Sequence, residues 1–315
     1  MKKLVIFGGG SGLSQLLKGI MQFPFDVTAV VSVSDNGAST GRLREEFAIP
    51  AVGDITKVLM AMSTESKGVK ELFNYRFAND SSIGNHSIKN LIMTALLEQH
   101  GDFAHSLPIL CDLLNVKGKI LPLTEDNVDL VGITKDGEEI VGEEQITKSK
   151  QRIVDLKYNK EAKAYSKVLD AVKNADLIIF SSGSLLTSVM PHLIIPELAE
   201  AIKKSKAKKL YVCNMITQPG ETDNFKVSNH IEVLEKYLGE NTINAVVANT
   251  DKLPKSAALL AKSEGKDQVI IDERKLAKKG VHVIKDKLCK VEDGYIRHNS
   301  MKTAYLIFSY LMDGE

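Results

Sequence analysis

A glycine-rich turn at the start of the chain constrains its fold more than any other feature. The apolar run 4–7 passes directly into glycines and then into helix-forming residues, an order that predicts a strand, a tight loop and a helix. Glycines let backbone N–H groups approach a ligand, and the helix adds unpaired N–H groups at the positive end of its dipole. The turn therefore predicts a phosphate or pyrophosphate site, with a plain strand-to-helix turn as the alternative. Its candidate contacts are Gly8, Gly9, Gly10, Ser11 and Gly12.

A second strand, predicted over 27–33, completes a βαβ unit because its nearly continuous β-branched residues are typical of a buried parallel strand. Asp35 follows Gly12 by 23 residues, near the position where dinucleotide-binding units place a carboxylate on a ribose hydroxyl. Leu13, however, stands where the third glycine of the dinucleotide fingerprint is required. A nicotinamide dinucleotide, NAD(P), is therefore the less favoured ligand.

The stretch 35–44 contains two glycines, several hydroxyl side chains and two arginines, and all of these groups are suited to binding phosphate. We expect a loop at the carboxyl end of the second strand, facing the first turn across the sheet crevice. The candidate contacts are Asp35, Asn36, Ser39, Thr40, Gly41 and Arg42. Asp35 and Asn36 are also candidates to hold a hydrated Mg²⁺ on the phosphate. A surface turn with solvated arginines is the alternative.

Two further segments carry candidate polar residues on predicted helices. Asp54 is expected to cap a helix over residues 54–62, and together with Asp35 it is a candidate catalytic acid. His86 and Asn90 are four residues apart, which predicts one shared helix face near the helix start. Asn90 is a candidate ligand contact, with capping or packing as the alternative for both residues.

Polar residues also follow two later predicted strands, over 176–180 and 209–213. Side chains at the carboxyl ends of parallel strands border the crevice of an open sheet. After the first of these strands the candidate anion or sugar contacts are Gly183, Ser184 and Leu185, and after the second the candidates for base or sugar contact are Asn214, Thr217 and Gln218. A helix cap and a simple turn are the respective alternatives. Arg297 and His298 are expected at the start of the last helix, over 298–311.

These patterns predict an α/β fold with three layers, in which a Rossmann-like, mostly parallel sheet has helices on both faces. Short β-like runs and the Asp136-Gly137 turn signal predict a small inserted antiparallel β-subdomain. Its acidic run over 138–144 is expected to be a solvated face. The predicted division is a nucleotide-binding half over 1–116, the inserted arm over 117–160, and a second half over 161–315 that completes the same domain.

Charge and cysteine content limit the classes of partner. The 315 residues include 41 basic and 40 acidic side chains, so no global field favours nucleic acid or a membrane surface. The three cysteines have neither disulfide-framework nor zinc spacing, which indicates a reducing cytoplasm. No signal peptide or apolar run of about 20 residues is evident, so we expect a cytoplasmic protein without membrane insertion. A homodimer is the default expectation for such a chain.

Taken together, six motifs resemble the CofD/YvcK family, and in particular its YvcK-like gluconeogenesis factor branch. The motifs are residues 8–14, 35–44, 52–55, 84–90, 183–188 and 214–222, and residues 297–298 also fit. The resemblance implies a Rossmann-like fold with a nucleotide in the crevice. It places Ser11, Asn214 and Arg297 among the nucleotide-sugar contacts.

The two branches of this family imply different functions. The CofD branch transfers a phospholactyl group from a guanosine diphosphate derivative to a deazaflavin, with magnesium. The YvcK-like branch binds UDP-sugars, notably UDP-N-acetylglucosamine, and is needed for cell shape and for growth on gluconeogenic carbon sources, which implies cell-envelope or regulatory partners. Asn36 stands where the branch often has a second aspartate, and residues 181–183 replace its usual Gly-Pro-Gly.

A nucleotide-sugar-binding regulator is the favoured function because the candidate residues are mostly neutral donors and arginines, without an evident nucleophile and base pair. The alternatives are a magnesium-dependent transferase of the 2-phospho-L-lactate type and, last, an NAD(P)-dependent oxidoreductase.

Overall fold

A parallel β-sheet forms the centre of the molecule, which is represented by a computed structural model describing residues 1–79, 81–292 and 294–312. The strands are β1 (Lys2–Gly8), β2 (Phe25–Val31), β3 (Lys119–Pro122), β4 (Leu130–Thr134), β5 (Glu139–Val141), β6 (Ile153–Tyr158), β7 (Leu177–Phe180), β8 (Lys208–Val212), β9 (Ala245–Asn249), β10 (His282–Asp286), β11 (Cys289–Glu292) and β12 (Tyr295–His298). Seven of them pair in the order β10-β9-β8-β7-β1-β2-β3, and every pairing in that sheet is parallel.

Helices cover both faces of this sheet. They are α1 (Gly10–Ile20), α2 (Ala38–Phe47), α3 (Gly53–Met62), α4 (Lys67–Asn74), α5 (Ile88–His100), α6 (Phe103–Leu113), α7 (Glu143–Ser149), α8 (Ser166–Lys173), α9 (Pro196–Lys204), α10 (Val227–Leu238), α11 (Lys255–Ser263), α12 (Glu273–Lys278) and α13 (Ser300–Met312). Alternate residues of β1 enter two separate apolar cores, because successive side chains of a strand point to opposite faces. Leu4 and Ile6 pack with α1, α3 and α13, whereas Val5 and Phe7 pack with α8, α9 and α10. The predicted three-layer α/β fold is confirmed.

The strand order places a topological switch between β1 and β7. From β1 the chain first builds outward through β2 and β3, and later returns to the other side of β1 and continues through β7 to β10. In open α/β sheets, ligands bind in the crevice beyond the carboxyl ends of the strands at such a point. The ends of β1 and β7 are therefore where a binding site is expected.

A small antiparallel sheet with the order β5-β4-β6 is separate from the main sheet, and α7 lies between β5 and β6 in the chain. It confirms the antiparallel character predicted from the turn signal at Gly137, where φ is +85°. The predicted run at 121–123 falls elsewhere, since β3 pairs with β2 in the main sheet. The division of the chain at residues 116 and 160 stays a prediction.

Several predicted element boundaries differ from the structure. The helix α1 begins at Gly10, so Gly10 and Gly12 lie in its first turn, whereas Gly8 ends β1 and Gly9 is the N-cap residue. Residues 38–47 form α2 rather than a loop, because burial of Leu43 and Arg44 compensates for the weak helix formers at its start. Arg297 and His298 lie in β12, in a hairpin with β11, and not in the final helix.

Within the described ranges, no single helix is long and apolar enough to cross a membrane, although the bent pair Leu185–His192 and Pro196–Lys204 together meets the required length and composition.

Candidate functional site

The carboxyl ends of β1 and β7 approach each other so closely that only glycine fits between them. A Cβ on Gly12 would lie 1.9 Å from the carbonyl oxygen of Ser182, and a Cβ on Gly8 would lie 2.0 Å from Ser181 Oγ. A side chain at Gly12 would push the backbone after β7 away, whereas a side chain at Gly8 would first displace the Ser181 hydroxyl. The glycine turn and the serine turn of residues 181–184 are therefore parts of one structure.

The first turn of α1 offers its N–H groups to this crevice. Its N-cap residue is Gly9, and no side chain caps the helix. Gly10 has φ of +58°, a left-handed conformation that favours glycine. The first N–H groups of a helix have no partner within the helix, and they lie at the positive end of its dipole. These N–H groups are available to an anion, and the anion contact that we expected of this turn stays a prediction.

A cleft of about 370 Å³ opens beside this turn, and we call it the switch-point cleft. Its lining includes Ser11, Gly12, Gln15, Gly183, Ser184, Asn214, Met215, Ile216, Gln218, Lys266, Tyr295, Ile296 and Arg297. The Arg297 guanidinium lies 5.6 Å from the ring centroid of Tyr295 and forms no ion pair with any described residue. The cleft therefore combines an apolar wall, neutral polar groups and a guanidinium that has no ion-pair partner among the described residues.

Asn214 shapes the wall of the switch-point cleft. Its Oδ1 accepts a hydrogen bond from the Gly183 N–H at 3.0 Å, and its Nδ2 donates to the Gly183 carbonyl at 2.5 Å. Gly183 has φ of +144°, so this amide holds a turn that favours glycine. The direct contact with a base or sugar that we expected of Asn214 stays a prediction, because the turn already uses both ends of its amide.

Ser184 also has partners within the protein. Its Oγ donates to Glu221 Oε2 at 2.6 Å and accepts from the Thr187 N–H at 2.9 Å, which caps a π-helical turn over Leu185–Val189. Burial raises the pKa of Glu221. Leu185 lies in the apolar core and not in the cleft lining. Of these residues, Ser184 reaches the cleft.

Of the other two predicted contacts that follow β8, one lines the switch-point cleft and the other holds a loop. Gln218 lines the cleft, with its Oε1 at 3.5 Å from Asn214 Nδ2. Thr217 instead binds the segment at Asp267, where its Oγ1 accepts from the Asp267 N–H at 2.9 Å. Thr217 is buried and holds this loop rather than lining the cleft.

The second predicted phosphate segment, residues 35–44, lies at the same edge of the sheet as the glycine turn. The start of α3 contacts both of them. A Cβ on Gly53 would lie 2.3 Å from Thr40 Oγ1, and a Cβ on Gly9 would lie 2.7 Å from Asp54 Oδ2. The starts of α1, α2 and α3 therefore meet around one group of side chains. Convergent helix N-termini favour negative charge, which accounts for buried carboxylates at this place.

Asp54 does not cap α3 as the sequence predicted. Val52 is the N-cap residue, and Asp54 lies in the first helical turn. Its Oδ1 instead accepts from Lys57 Nζ at 2.8 Å. Asp35 accepts from the Gly37 N–H at 2.9 Å, and burial together with the charge of Asp54 raises the pKa of Asp35. Asp54 is thus a neighbour whose negative charge disfavours ionisation of Asp35.

Glu143 is a third carboxyl in this group, and the sequence analysis missed it. The acidic run 138–144 was expected to be a solvated face, which is wrong for Glu143. Its Oε2 is shielded from solvent and has no hydrogen-bond partner within the described parts of the chain. Burial raises the pKa of Glu143 well above its usual range, and the charges of Asp54 and Asp35 raise it further. No local signal marks Glu143, because the folding of the arm brings α7 to the crevice.

The carboxylates fit a magnesium ion only in part. Among the described residues, no group of three or more histidine, cysteine, aspartate or glutamate side chains has the geometry to hold a metal. Mg²⁺ is usually bound by one or two carboxylates and completed by substrate phosphates and water, and Asp35 and Asp54 suit that arrangement. Asn36 does not join them, because its Oδ1 accepts from the Glu144 N–H at 3.0 Å at the start of α7.

Five of the predicted contacts, Asp35, Ser39, Thr40, Arg42 and Asn90, border a neighbouring cleft of about 640 Å³. Its lining includes Asp35, Ser39, Thr40, Arg42, Gly53, Lys57, Arg76, Lys89 and Asn90. Ser39 Oγ lies 2.8 Å from His86 Nδ1, and the Arg42 guanidinium donates to the Gly84 carbonyl. Asn90 Oδ1 accepts from Thr56 Oγ1 at 2.7 Å. These contacts tie α2, α3 and the start of α5 together.

Two predictions about this neighbouring cleft need correction. His86 lies before α5 and not on its first turn, so it does not share a helix face with Asn90. Gly41 faces away from the cleft lining, since a Cβ there would lie 2.2 Å from the Asn36 carbonyl oxygen. The second arginine of the segment, Arg44, forms an ion pair with Asp129 at 3.1 Å and so connects α2 to the inserted arm.

The buried carboxyl of Glu143 makes stability depend on pH in a direction that can be measured. Its pKa is raised in the folded state, so ionisation favours the unfolded chain and stability is lost as the pH rises above the ordinary value of 4.5. Glu143→Gln should therefore raise the free energy of unfolding at pH 8 by on the order of 1 kcal/mol, with a smaller gain at pH 5. Urea unfolding at both pH values measures the change. The exposed Glu138→Gln is the control and should change neither value, and a loss of stability in Glu143→Gln at pH 8 would contradict the account.

Comparison with known proteins gives matches over nearly the whole chain. The model of the CofD family, described as 2-phospho-L-lactate transferase CofD, matches residues 4–289. The gluconeogenesis factor of Halalkalibacterium halodurans is 38% identical over 307 residues, covering 97% of this chain and 95% of that protein. The gluconeogenesis factor of Bacillus subtilis is 38% identical over 312 residues, covering 99% and 98% of the two chains. A crystal structure of a UPF0052 family member from Bacillus halodurans has a TM-score of 0.94 at 37% identity and covers 98% of this chain and 99% of that one.

Proposed function

Because this chain belongs to the CofD family and has gluconeogenesis factors among its relatives, we propose that its switch-point cleft binds a nucleotide sugar of the UDP-N-acetylglucosamine type. The names of the relatives refer to gluconeogenesis and not to a ligand. The proposal therefore depends on the residues of the cleft and on what they can bind.

The observation that carries the proposal is the pairing of the uncapped first turn of α1 with Arg297 at the switch point. Ser11 and Gly12 supply N–H groups at the positive end of a helix, and the guanidinium of Arg297 has no ion-pair partner among the described residues. A diphosphate carries two or more negative charges in a small space, and it needs several donors of this kind. A neutral sugar or a bare base would leave the Arg297 charge without a partner.

The rest of the cleft suits the two uncharged ends of such a ligand. Met215, Ile216 and Ile296 form an apolar wall against which a base can pack. The Gln218 amide offers both a donor and an acceptor, which is the pattern that the edge of a uracil ring requires. Ser11 and Gln15 offer hydroxyl and amide groups to a sugar. A volume of about 370 Å³ is within the usual range for a small-molecule site.

Calorimetric titration of the full chain with UDP-N-acetylglucosamine tests this proposal. We expect saturable heat with one site per chain. Uridine monophosphate and free N-acetylglucosamine should bind far more weakly, because neither contains the diphosphate that the α1 turn and Arg297 contact. Absence of heat at millimolar UDP-N-acetylglucosamine, or equal binding of uridine monophosphate, would overturn the proposal.

In the cell, we propose that the protein is a cytoplasmic regulator that couples the supply of nucleotide sugar to envelope growth on gluconeogenic carbon sources, acting as a homodimer through envelope or regulatory partners. Growth and cell shape of a deletion strain on such carbon sources test the role. Complementation by the wild type but not by a variant that fails to bind the ligand would support it, and full complementation by that variant would contradict it.

A magnesium-dependent transferase of the 2-phospho-L-lactate type is a second candidate, supported by the adjacent carboxylates of Asp35 and Asp54 and by the description of the family model. These two residues would hold the ion, which would neutralise charge on the diphosphate of a nucleoside diphosphate derivative. Arg297 would stabilise the leaving group. Incubation with the guanosine donor, a deazaflavin acceptor and magnesium should release GMP if this candidate is right, and no GMP would exclude this reaction.

A further inference from the structure

A cavity of about 850 Å³ adjoins the switch-point cleft and has an unusual excess of positive charge. Its cationic residues come from six different elements or connections: Lys18, Lys57, Lys70, Lys89, Lys117 and Arg297. We call these residues with their cavity the lysine basin. Glu292 is the one carboxylate among the described residues that line it. The chain as a whole has a net charge of only +1, so this concentration of charge is local.

Within the described parts of the chain, most of these cations have no carboxylate as an ion-pair partner. Lys57 is paired with Asp54, but no ion pair of Lys18, Lys70, Lys89 or Lys117 occurs among the described residues. Lys70 Nζ donates to the Ser63 carbonyl at 2.8 Å, and Lys89 Nζ donates to the Asn74 Oδ1 at 2.5 Å. Neutral acceptors satisfy hydrogen bonds without balancing charge. Lys89 is buried and Lys70 is partly buried, whereas Lys18 and Lys117 are exposed. Buried charges are ordinarily paired, so Lys89 and Lys70 in particular lack an anionic partner that a ligand can supply.

Lys89 shows this lack most clearly. It is only 8% exposed, and its side chain faces the positive charges of Arg76 and Lys57 as well as the amide of Asn74. Burial, together with the charges of Arg76 and Lys57, lowers the pKa of Lys89 to about 8. A group in this state gains more from a nearby anion than an exposed lysine does.

The other lining residues indicate the size and kind of anion. Ser11, Ser14, Ser63, Thr64 and Asn74 place hydroxyl and amide groups around the cations. Such groups bind the hydroxyls of a polyol, whereas lysine ammonium groups suit phosphate oxygens as point charges. A cavity of this volume is much larger than one phosphate ion requires.

We propose that the lysine basin is a second binding site, which takes a phosphorylated sugar or a similar phosphorylated polyol alongside the ligand of the switch-point cleft. Ser11, Gln15 and Arg297 border both cavities, so the two ligands would lie next to each other. This proposal does not depend on the identity of the nucleotide. Through the shared residues, occupancy of one site would alter the affinity of the other.

Calorimetric titration of the full chain tests the second site with fructose 1,6-bisphosphate and glucose 6-phosphate, with and without saturating UDP-N-acetylglucosamine. We expect both phosphorylated sugars to bind in either condition, and unphosphorylated glucose to give no heat. At pH 8 their binding should take up protons, seen as heat that varies with the ionisation enthalpy of the buffer, because an anion raises the pKa of Lys89. Inorganic phosphate binding as tightly as the sugars would reduce the site to an adventitious ion only and overturn the proposal.

Variants separate the basin from the cleft. Lys18→Gln changes an exposed residue and should keep the fold. The double variant Lys18→Gln with Lys89→Gln should weaken sugar phosphate binding by about tenfold or more. It should leave UDP-N-acetylglucosamine binding within about twofold of the wild type. Lys173→Gln is the control of equal charge, because Lys173 is exposed at the end of α8 and lies outside the lining of the basin. If Lys18→Gln and the double variant bind as tightly as the control, or if the sugar phosphates compete stoichiometrically with the nucleotide sugar, the second site is contradicted.

Discussion

Gly12→Ala should destabilise the fold by about 3 kcal/mol and lower the Tm by about 5–10 °C. The added Cβ would lie 1.9 Å from the backbone oxygen of Ser182 and within 3.0 Å of Gly183. Backbone atoms cannot rotate away as a side-chain end can, so the turn after β7 must move. Because that turn forms one wall of the switch-point cleft, nucleotide-sugar affinity should fall together with stability.

A matched glycine elsewhere gives the opposite expectation. Gly68 also lies in the first turn of a helix, α4, but a Cβ there meets nothing within 4 Å. Gly68→Ala should therefore stabilise the protein by about 0.5–1 kcal/mol, because alanine loses less backbone entropy. Urea unfolding of the two variants measures the contrast. Equal effects of the two substitutions would contradict the close approach of β1 and β7.

Arg297→Gln should weaken UDP-N-acetylglucosamine binding by about tenfold to a hundredfold, as expected for the loss of a charge-assisted hydrogen bond worth about 1.5–3 kcal/mol. The glutamine keeps a polar, uncharged side chain in β12 and leaves the strand backbone unchanged, so the hairpin should remain folded. The wild-type affinity should also fall with increasing salt more steeply than that of the variant, because the variant has lost one interacting charge.

Arg274→Gln is the control, since Arg274 is exposed on α12 and lies outside the lining of the switch-point cleft. It removes the same charge from the protein and should leave the affinity unchanged. Titration of both variants at two salt concentrations separates a local contact from a general effect of net charge. Equal affinities for Arg297→Gln and the wild type would remove Arg297 from the site.

The central part of the fold could be predicted because its sequence signals are local and strong. The continuous apolar residues of β1, β2 and β7 indicate strands buried on both faces, and the structure confirms them in one parallel sheet. The family comparison likewise confirms the resemblance carried by the ordered motifs. These features depend on short stretches of sequence, which tertiary packing does not override.

The parts that could not be predicted depend on contacts between distant segments. Glu143 has no local signal, since its burial results from where the arm places α7. The short β12 strand is partly exposed and lacks clear alternation, so Arg297 was assigned to the wrong element. Lys57 is different: it lies three residues after Asp54 on a predicted helix, a spacing that could have revealed their ion pair although the sequence analysis did not use it.

A crystal structure of the full chain with UDP-N-acetylglucosamine tests the central claim most directly. The account predicts diphosphate density at the switch point, within about 3 Å of the first-turn N–H groups of α1 and of the Arg297 guanidinium. The base should lie against Met215 and Ile216. Diphosphate density at any other place on the molecule, with the α1 turn making no contact to it, would contradict the account.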